Sequence, residues 1–147
     1  MKKLLPLVII LVTLNMQGQT NKWPQVKNLH PNKNVRWVTM KSMLAADLID
    51  AKIVVKPLAE NREEHAYVTK AGSFYVIYMK EDLNNFEEVI RHELIHVKQM
   101  ENGDLIQQKD GWIWEGKFYA NTTKYNHRPW EHDAHKNDSY LAFKNHN

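Results

Sequence analysis

The stretch Phe86–Glu101, FEEVIRHELIHVKQME, contains the pentapeptide His92-Glu93-Leu94-Ile95-His96 and governs the interpretation of the whole chain. Asn85 stands where a helix N-cap is expected, and Asn102-Gly103 stands where a helix ends. Apolar residues recur between these limits at helical spacing, at Phe86, Val89, Ile90, Leu94, Val97 and Met100. The stretch therefore predicts an amphipathic helix with both ends marked.

Two histidines and a glutamate lie along one edge of this apolar stripe. Residues four apart on a helix share a face, so His92 and His96 can direct both imidazoles at one zinc ion. Glu93 lies beside that line, within reach of a water held by the metal, and its carboxylate can take a proton from that water. The pentapeptide predicts metal-assisted hydrolysis with Glu93 as the general base.

A catalytic zinc usually has three protein ligands and a water, so a third ligand must be found. The extended pattern H-E-x-x-H-x-x-G-x-x-H fails, because Gln99 stands at its glycine and Asn102 at its last histidine. Metzincins are thereby disfavoured.

The stretch from Arg128 to Phe143 predicts a second helix with Pro129 at its first position. Glu131 in its first turn is the predicted third ligand, and small Ala134 would let this helix pack closely on the histidine helix. Other candidate ligands crowd the same region: His127, His132, His135, Asp133 and Asp138. His135 is the strongest rival, because it lies one turn beyond Glu131 on the same face.

These two segments resemble the gluzincin group of zinc metallopeptidases, in which HExxH supplies two ligands and a Glu on a later helix, often within E-x-x-A-D, supplies the third. The resemblance covers the two helices only. It implies that Zn²⁺ is bound by His92, His96 and Glu131, with Glu93 as the general base.

The chain departs from the gluzincin pattern at His135, which takes the place of the Asp that orients a ligand histidine. A ligand histidine normally needs a carboxylate or carbonyl on its other ring nitrogen. Asp133 or Asp138 is expected to supply it. An oxyanion stabiliser is also required, and five residues are candidates: Tyr119, Tyr125, His127, His135 and Tyr140.

The N-terminal residues are expected to be removed from the folded domain. Lys2-Lys3, the apolar run Leu4–Leu14 and polar Asn15–Thr20 predict a signal peptide over residues 1–19, followed by one domain over residues 20–147. The run is short for a bilayer span, and the chain has no cysteine to carry a lipid. We expect a secreted or periplasmic protein with no stable membrane anchor after cleavage.

The charge of the chain disfavours nucleic-acid binding. The formal net charge of +3 falls to about +1 without Lys2 and Lys3, and no dense basic block remains. The expected partner is a peptide or protein substrate.

The rest of the sequence predicts the parts of a small sheet. Asn21–Val38 indicates an irregular arm that packs on the body through Trp23 and Trp37, and Thr39–Asp50 indicates a helix. Further strands are predicted at Ile53–Val55, in a hairpin of Tyr67-Val68 and Ser73–Met79 around Ala71-Gly72, and in two strands around Glu115-Gly116.

Two of these segments allow alternative interpretations. Phe74–Met79 is apolar on both faces, so it is either an edge strand that receives an extended substrate or an interior strand. Trp112 and Trp114 point to one side and favour a core position over a carbohydrate platform.

The sequence thus predicts an α+β fold, a minimal zincin-like domain with a small, mainly antiparallel sheet, an HExxH helix and a C-terminal helix. The predicted function is an exported zinc metallopeptidase that hydrolyses peptide bonds through a zinc-bound water activated by Glu93. Short or unfolded peptides, or one specific partner, are the expected substrates. One alternative is a secreted binding module with a structural or vestigial zinc site, closed by His135 as a fourth ligand. Another is a zinc hydrolase that cleaves a different amide bond.

Overall fold

The structure is a computed structural model that describes the backbone of residues 22–144 and the side chains of residues 22–138. The expected signal peptide, residues 1–19, lies outside these residues. The fold is α+β, as predicted. Its elements are β1 (Gln25–Asn28), α1 (Asn34–Ala45), β2 (Lys52–Pro57), β3 (Ala66–Ala71), β4 (Phe74–Met79), α2 (Phe86–Asn102), β5 (Leu105–Gln107), β6 (Gly111–Trp114), β7 (Lys117–Ala120) and α3 (Pro129–Lys144), with a 3₁₀ turn at Tyr125–His127 before α3.

The larger sheet has the strand order β1-β2-β4-β3. β1 and β4 both pair with β2 in parallel, and only β3 and β4 are antiparallel. The prediction of a mainly antiparallel sheet is therefore wrong for this larger sheet. For β1 and β2 the reason is α1, since a helix between them carries the chain back across the sheet so that β2 starts at the same end as β1. For β2 and β4 the reason is β3, since the chain runs back along β3 before it forms β4.

The N-terminal segment is more regular than its sequence indicates. The predicted irregular arm contains β1 and the start of α1, and α1 begins at Asn34 rather than at Thr39. Val35, Thr39, Ser42 and Met43 are buried against the body, whereas Trp23 and Trp37 are exposed. The expectation that these two tryptophans pack on the body is wrong.

The β3–β4 hairpin is confirmed, and it settles the position of β4. Ala71 pairs with Phe74 across a turn in which Gly72 has a φ of +61°, a left-handed conformation that glycine adopts at little cost. β4 lies between β2 and β3, so it is the interior strand of the two interpretations. β3 is the edge strand.

The predicted histidine helix, α2, is confirmed within a residue at each end. Asn85 precedes it without a side-chain capping bond. At the other end Gly103 is left-handed, and the N–H of Asp104 donates to the carbonyl of Gln99 at 2.9 Å. Ile90, Leu94 and Val97 are fully buried in the core.

A second, three-stranded antiparallel sheet, β5-β6-β7, lies beyond α2. The turn at Glu115-Gly116 is confirmed, while β5 was not predicted. Trp112 and Tyr119 pack on Trp130, with ring centroids 6.3 and 5.5 Å away, so the core position of Trp112 is confirmed. In the described part of the chain, no helix has the length and apolar character needed to cross a membrane.

Candidate metal centre

The HExxH residues lie on the face of α2 that meets α3. His96 and Glu93 are buried and His92 is half-buried. The rings of His92 and His96 meet edge to face at 4.8 Å between centroids. This is the placement expected for residues one helical turn apart.

Glu131 reaches the two histidines from the first turn of α3. Trp130 and Ala134 on either side of it are buried, and Ala134 is fully enclosed, so the two helices approach closely there. Glu131 Oε2 lies 3.2 Å from His92 Nε2 and 3.1 Å from His96 Nε2. The two Nε2 atoms are 3.2 Å apart. Three potential ligand atoms from segments far apart in sequence thus form a nearly equilateral triangle.

This triangle has the dimensions of a zinc site. Nitrogen and oxygen ligands at about 2.0–2.1 Å from a tetrahedral zinc are about 3.3 Å from one another. Among the residues whose side chains are described, this is the group of histidines and acids whose ligand atoms converge closely enough to hold an ion. Two neutral imidazoles and a carboxylate are ligands that zinc commonly takes.

The charges at the centre favour a cation. Burial opposes ionisation of Glu131, but its hydrogen bonds to His92 and His96 outweigh burial and hold its pKa well below the usual range. Burial also opposes protonation of His96, yet Glu131 and Glu93 raise its pKa to about 9. Two carboxylates therefore share a buried site that attracts positive charge.

A side-chain network fixes the orientation of His96. The Gln99 amide nitrogen donates to the carbonyl of Trp130 at 3.1 Å and to Asp133 at 2.8 Å. Because both partners are acceptors, the other end of the amide is an oxygen, and His96 Nδ1 donates to it at 2.8 Å. The opposite nitrogen, Nε2, is then the one left to bind a metal.

The expectation that Asp133 or Asp138 orients a ligand histidine directly is wrong among the described residues. Asp133 acts one step further out, because it accepts from Gln99 rather than from His96. Asp138 stands 3.8 Å from Arg91, and its buried Oδ1 has no hydrogen-bond partner in the described structure. Burial raises the pKa of Asp138 against the opposing charges of Arg91 and His92.

Glu93 is a second carboxylate with a buried oxygen that lacks a partner. Its Oε2 is enclosed and has no hydrogen bond to any described residue. Burial raises the pKa of Glu93, and the charge of Glu131 adds to that effect while His96 and His92 oppose it. Glu93 also borders the adjoining cavity.

That cavity has a volume of about 480 Å³ and is bordered by the three potential ligands and Glu93. Val68, Met100, Leu105, Trp112 and Trp130 form its apolar part. The start of β3 forms another wall, with exposed His65 at its rim. The sequence did not predict the place of His65 beside the cavity.

The rival ligands lie outside the triangle. His127 is exposed, and exposed His132 has its Nε2 2.8 Å from the carbonyl of Asn126. His135 is closer, with its ring centroid 4.8 Å from that of His92, but its Nε2 is 3.1 Å from the Tyr125 hydroxyl.

Two of the five candidate oxyanion donors line the cavity, namely Tyr125 and His135. Tyr119 packs on Trp130, and the side chain of Tyr140 lies outside the described residues. Burial and the neighbouring Glu131 raise the pKa of Tyr125, so its hydroxyl keeps its proton at neutral pH.

Gln99 is a residue of the candidate centre whose contact with His96 the sequence did not predict. In the sequence, Gln99 stands out only because it breaks the metzincin pattern. Its signal was its spacing, because a residue three positions after His96 lies on the same face and can reach the ring.

No family model, no curated protein and no solved structure matches the chain.

Proposed function

We propose that the protein is an exported zinc metallopeptidase of the gluzincin type, with a zincin-like domain. One observation carries the proposal: His92, His96 and Glu131 converge at 3.1–3.2 Å beside buried Glu93, at the edge of an open cavity. A core that needed only stability would not enclose an oxygen of Glu93 without a hydrogen-bond partner beside this group, because burying an unpaired charge is costly.

The residues at the centre would have two roles, metal binding and proton transfer. His92 Nε2, His96 Nε2 and Glu131 Oε2 would hold the zinc, and Gln99 keeps the His96 ring in place. Bound zinc would lower the pKa of a water and polarise the carbonyl of the scissile bond. Glu93 would take the proton of the attacking water and pass it to the leaving amine, since its free oxygen faces no competing donor among the described residues.

Tyr125 and His135 are suited to stabilise charge on the substrate oxygen. The Tyr125 hydroxyl lies 3.1 Å from His135 Nε2, and both side chains border the cavity. A hydroxyl that keeps its proton can donate a hydrogen bond to an oxyanion. His135 would position this hydroxyl, which gives a role to the residue that departs from the gluzincin pattern.

The edge strand β3 supports an extended peptide as the substrate. The His65 carbonyl accepts from Lys80 next to β4, whereas the Lys70 N–H turns outward to Gln107. Pairing alternates along an antiparallel strand, so the backbone groups of Ala66 and Val68 also point away from β4. Both residues border the cavity. The predicted substrate strand, Phe74–Met79, is therefore replaced by β3 in this proposal.

The test is a peptidase assay of the zinc-loaded protein against a library of unstructured peptides. The Glu93→Gln variant should keep zinc and lose about 10²–10⁴-fold in kcat, the contribution typical of a general base. Glu87→Gln, on the exposed side of the same helix, is the matched control and should retain full activity. Full activity in Glu93→Gln would remove the proposed mechanism.

The binding-module alternative makes a different prediction for the same protein. It needs a closed metal site with His135 as the fourth ligand, so His135→Ala should lower zinc affinity strongly. In the proposed enzyme His135→Ala should leave zinc affinity nearly unchanged and lower kcat. Measuring both quantities on one variant distinguishes the two functions.

A further inference from the structure

The solvent side of α1 carries an apolar stripe that nothing in the described structure covers. Trp37 is 65% exposed, Leu44 is 43% exposed and Met40 is half-buried between them. At 3.6 residues per turn these three lie along one line of the helix. A surface helix usually turns polar residues to solvent, so this stripe calls for a partner.

Cations flank the stripe. Arg36 lies on one side of it, Lys41 on the other and Lys33 at its start, within an arc of about 140°. We name these six residues the outer face of α1: Lys33, Arg36, Trp37, Met40, Lys41 and Leu44. None of its three cations forms an ion pair or side-chain hydrogen bond with another described residue, so all three charges are available.

The segment of sequence around the outer face of α1 is also basic. Residues 22–46 contain five Lys and Arg and no Asp or Glu, whereas residues 47–147 contain thirteen Lys and Arg against seventeen Asp and Glu. Trp23 and Leu29, in the same basic segment, are also exposed. Basic charge and exposed apolar side chains are thus concentrated together at this end of the chain.

We propose that the outer face of α1 docks on an anionic phospholipid membrane. Trp, Met and Leu would enter the boundary between headgroups and acyl chains, while the flanking Lys and Arg extend to lipid phosphates. The face would bind at the surface, since twelve residues of helix are too few to span a bilayer. A second copy of the chain fits less well, because a symmetric contact would place these cations against one another.

The first experiment measures binding of the full chain to phosphatidylcholine vesicles with and without phosphatidylglycerol. Binding should be tighter to the vesicles that contain the anionic lipid. Replacing the three cations by glutamine should weaken it about a hundredfold, at the strength typical of a Lys or Arg near a charged membrane. The triple variant Lys109→Gln, Lys117→Gln and Lys124→Gln, with exposed cations elsewhere, is the matched control and should bind nearly as the parent does.

The apolar stripe is tested by Trp37→Ala with Leu44→Ala, which should weaken binding at least about tenfold through lost apolar contact. Ile106→Ala with Phe118→Ala is its control, because those side chains are 45% and 54% exposed on the second sheet. Equal losses in this control would overturn the proposal, and so would anionic-vesicle binding that the three glutamine substitutions leave unchanged. So would dimerisation through the face without vesicle binding.

A depth measurement separates this face from the apolar N-terminal residues, which could themselves attach the chain to lipid. The chain has no cysteine, so Leu44→Cys gives a unique position for a nitroxide label, with Ile106→Cys as the control. Anionic vesicles should shield the label at position 44 from a water-soluble quencher and leave the label at position 106 exposed. A label at 44 that stays fully accessible while the protein is bound would reject the proposed docking.

Discussion

The interface between α2 and α3 buries polar and charged side chains, whereas the outer face of α1 exposes large apolar ones. Both regions depart from the usual division between a polar surface and an apolar interior. At the α2–α3 interface the buried polar groups contact one another, as His96 contacts Glu131 and Gln99. On α1 the exposed Trp37 finds no such partner among the described residues.

This difference indicates where each region completes its interactions. The polar centre is built from side chains of the chain itself, because one carboxylate and two imidazoles face one point beside a second, buried carboxylate. The apolar stripe of α1 has no covering partner among the described residues, and the membrane proposed above would supply one. Substitutions in the first region should therefore change metal binding. Substitutions on the outer face of α1 should leave the folded state unaffected.

The largest effect is expected from Glu131→Gln, which keeps the shape of the side chain and removes its charge. Zinc affinity should fall by more than about a hundredfold. Losing a ligand should weaken binding more than losing a group that only supports a ligand, which usually costs about 10–100-fold. Competition with a metal chelator measures the affinity, and Glu60→Gln, an exposed carboxylate, is the control. Unchanged affinity would show that Glu131 is not a ligand.

Gln99→Leu tests the network that orients His96. Zinc affinity should fall by about 10–100-fold, the usual cost of losing a supporting partner of a ligand histidine. The metal-free protein should also lose about 1–3 kcal/mol in its free energy of unfolding, because Asp133 and the Trp130 carbonyl lose a donor. Exposed Gln108→Leu should change neither quantity. A variant with normal zinc affinity would contradict the role of this amide.

Ala134→Leu tests the close approach of the two helices. Ala134 is fully enclosed, so a larger side chain must push α3 away from α2. Urea denaturation should show a loss of about 1–3 kcal/mol in the free energy of unfolding. Ala59→Leu, at an exposed loop position, should be neutral. Full stability in Ala134→Leu would mean that the interface is looser than described.

The smallest effect is expected on α1. Trp37→Ala should change the free energy of unfolding by no more than about 0.5 kcal/mol, because an exposed side chain gives little to the folded state. Trp130→Ala, which removes a buried tryptophan beside the metal centre, should cost about 3–5 kcal/mol. Thermal or urea unfolding compares the two. Equal losses would contradict the distinction between these regions.

Local patterns predicted the parts of the fold that local forces determine. The period of apolar residues located α2, and Gly103 marked its end through a left-handed conformation that favours glycine. Gly72 and Gly116 likewise marked two hairpin turns. The parallel pairing of β2 with β4 was not foreseen, because it joins strands between which another strand intervenes in the sequence.

The candidate site likewise combines features that local sequence determines with features that tertiary packing determines. The shared direction of His92 and His96 follows from helical geometry alone, and the sequence by itself determined it. The sequence offered Glu131 among several candidate ligands, and only the tertiary structure decided that Glu131, 35 residues beyond His96, joins the two histidines. It also decided that Gln99 bridges to Asp133. It also decided that Trp37 faces outward. Helical spacing acts within one turn, whereas these outcomes depend on how α1, α2 and α3 pack, which no short stretch of sequence contains.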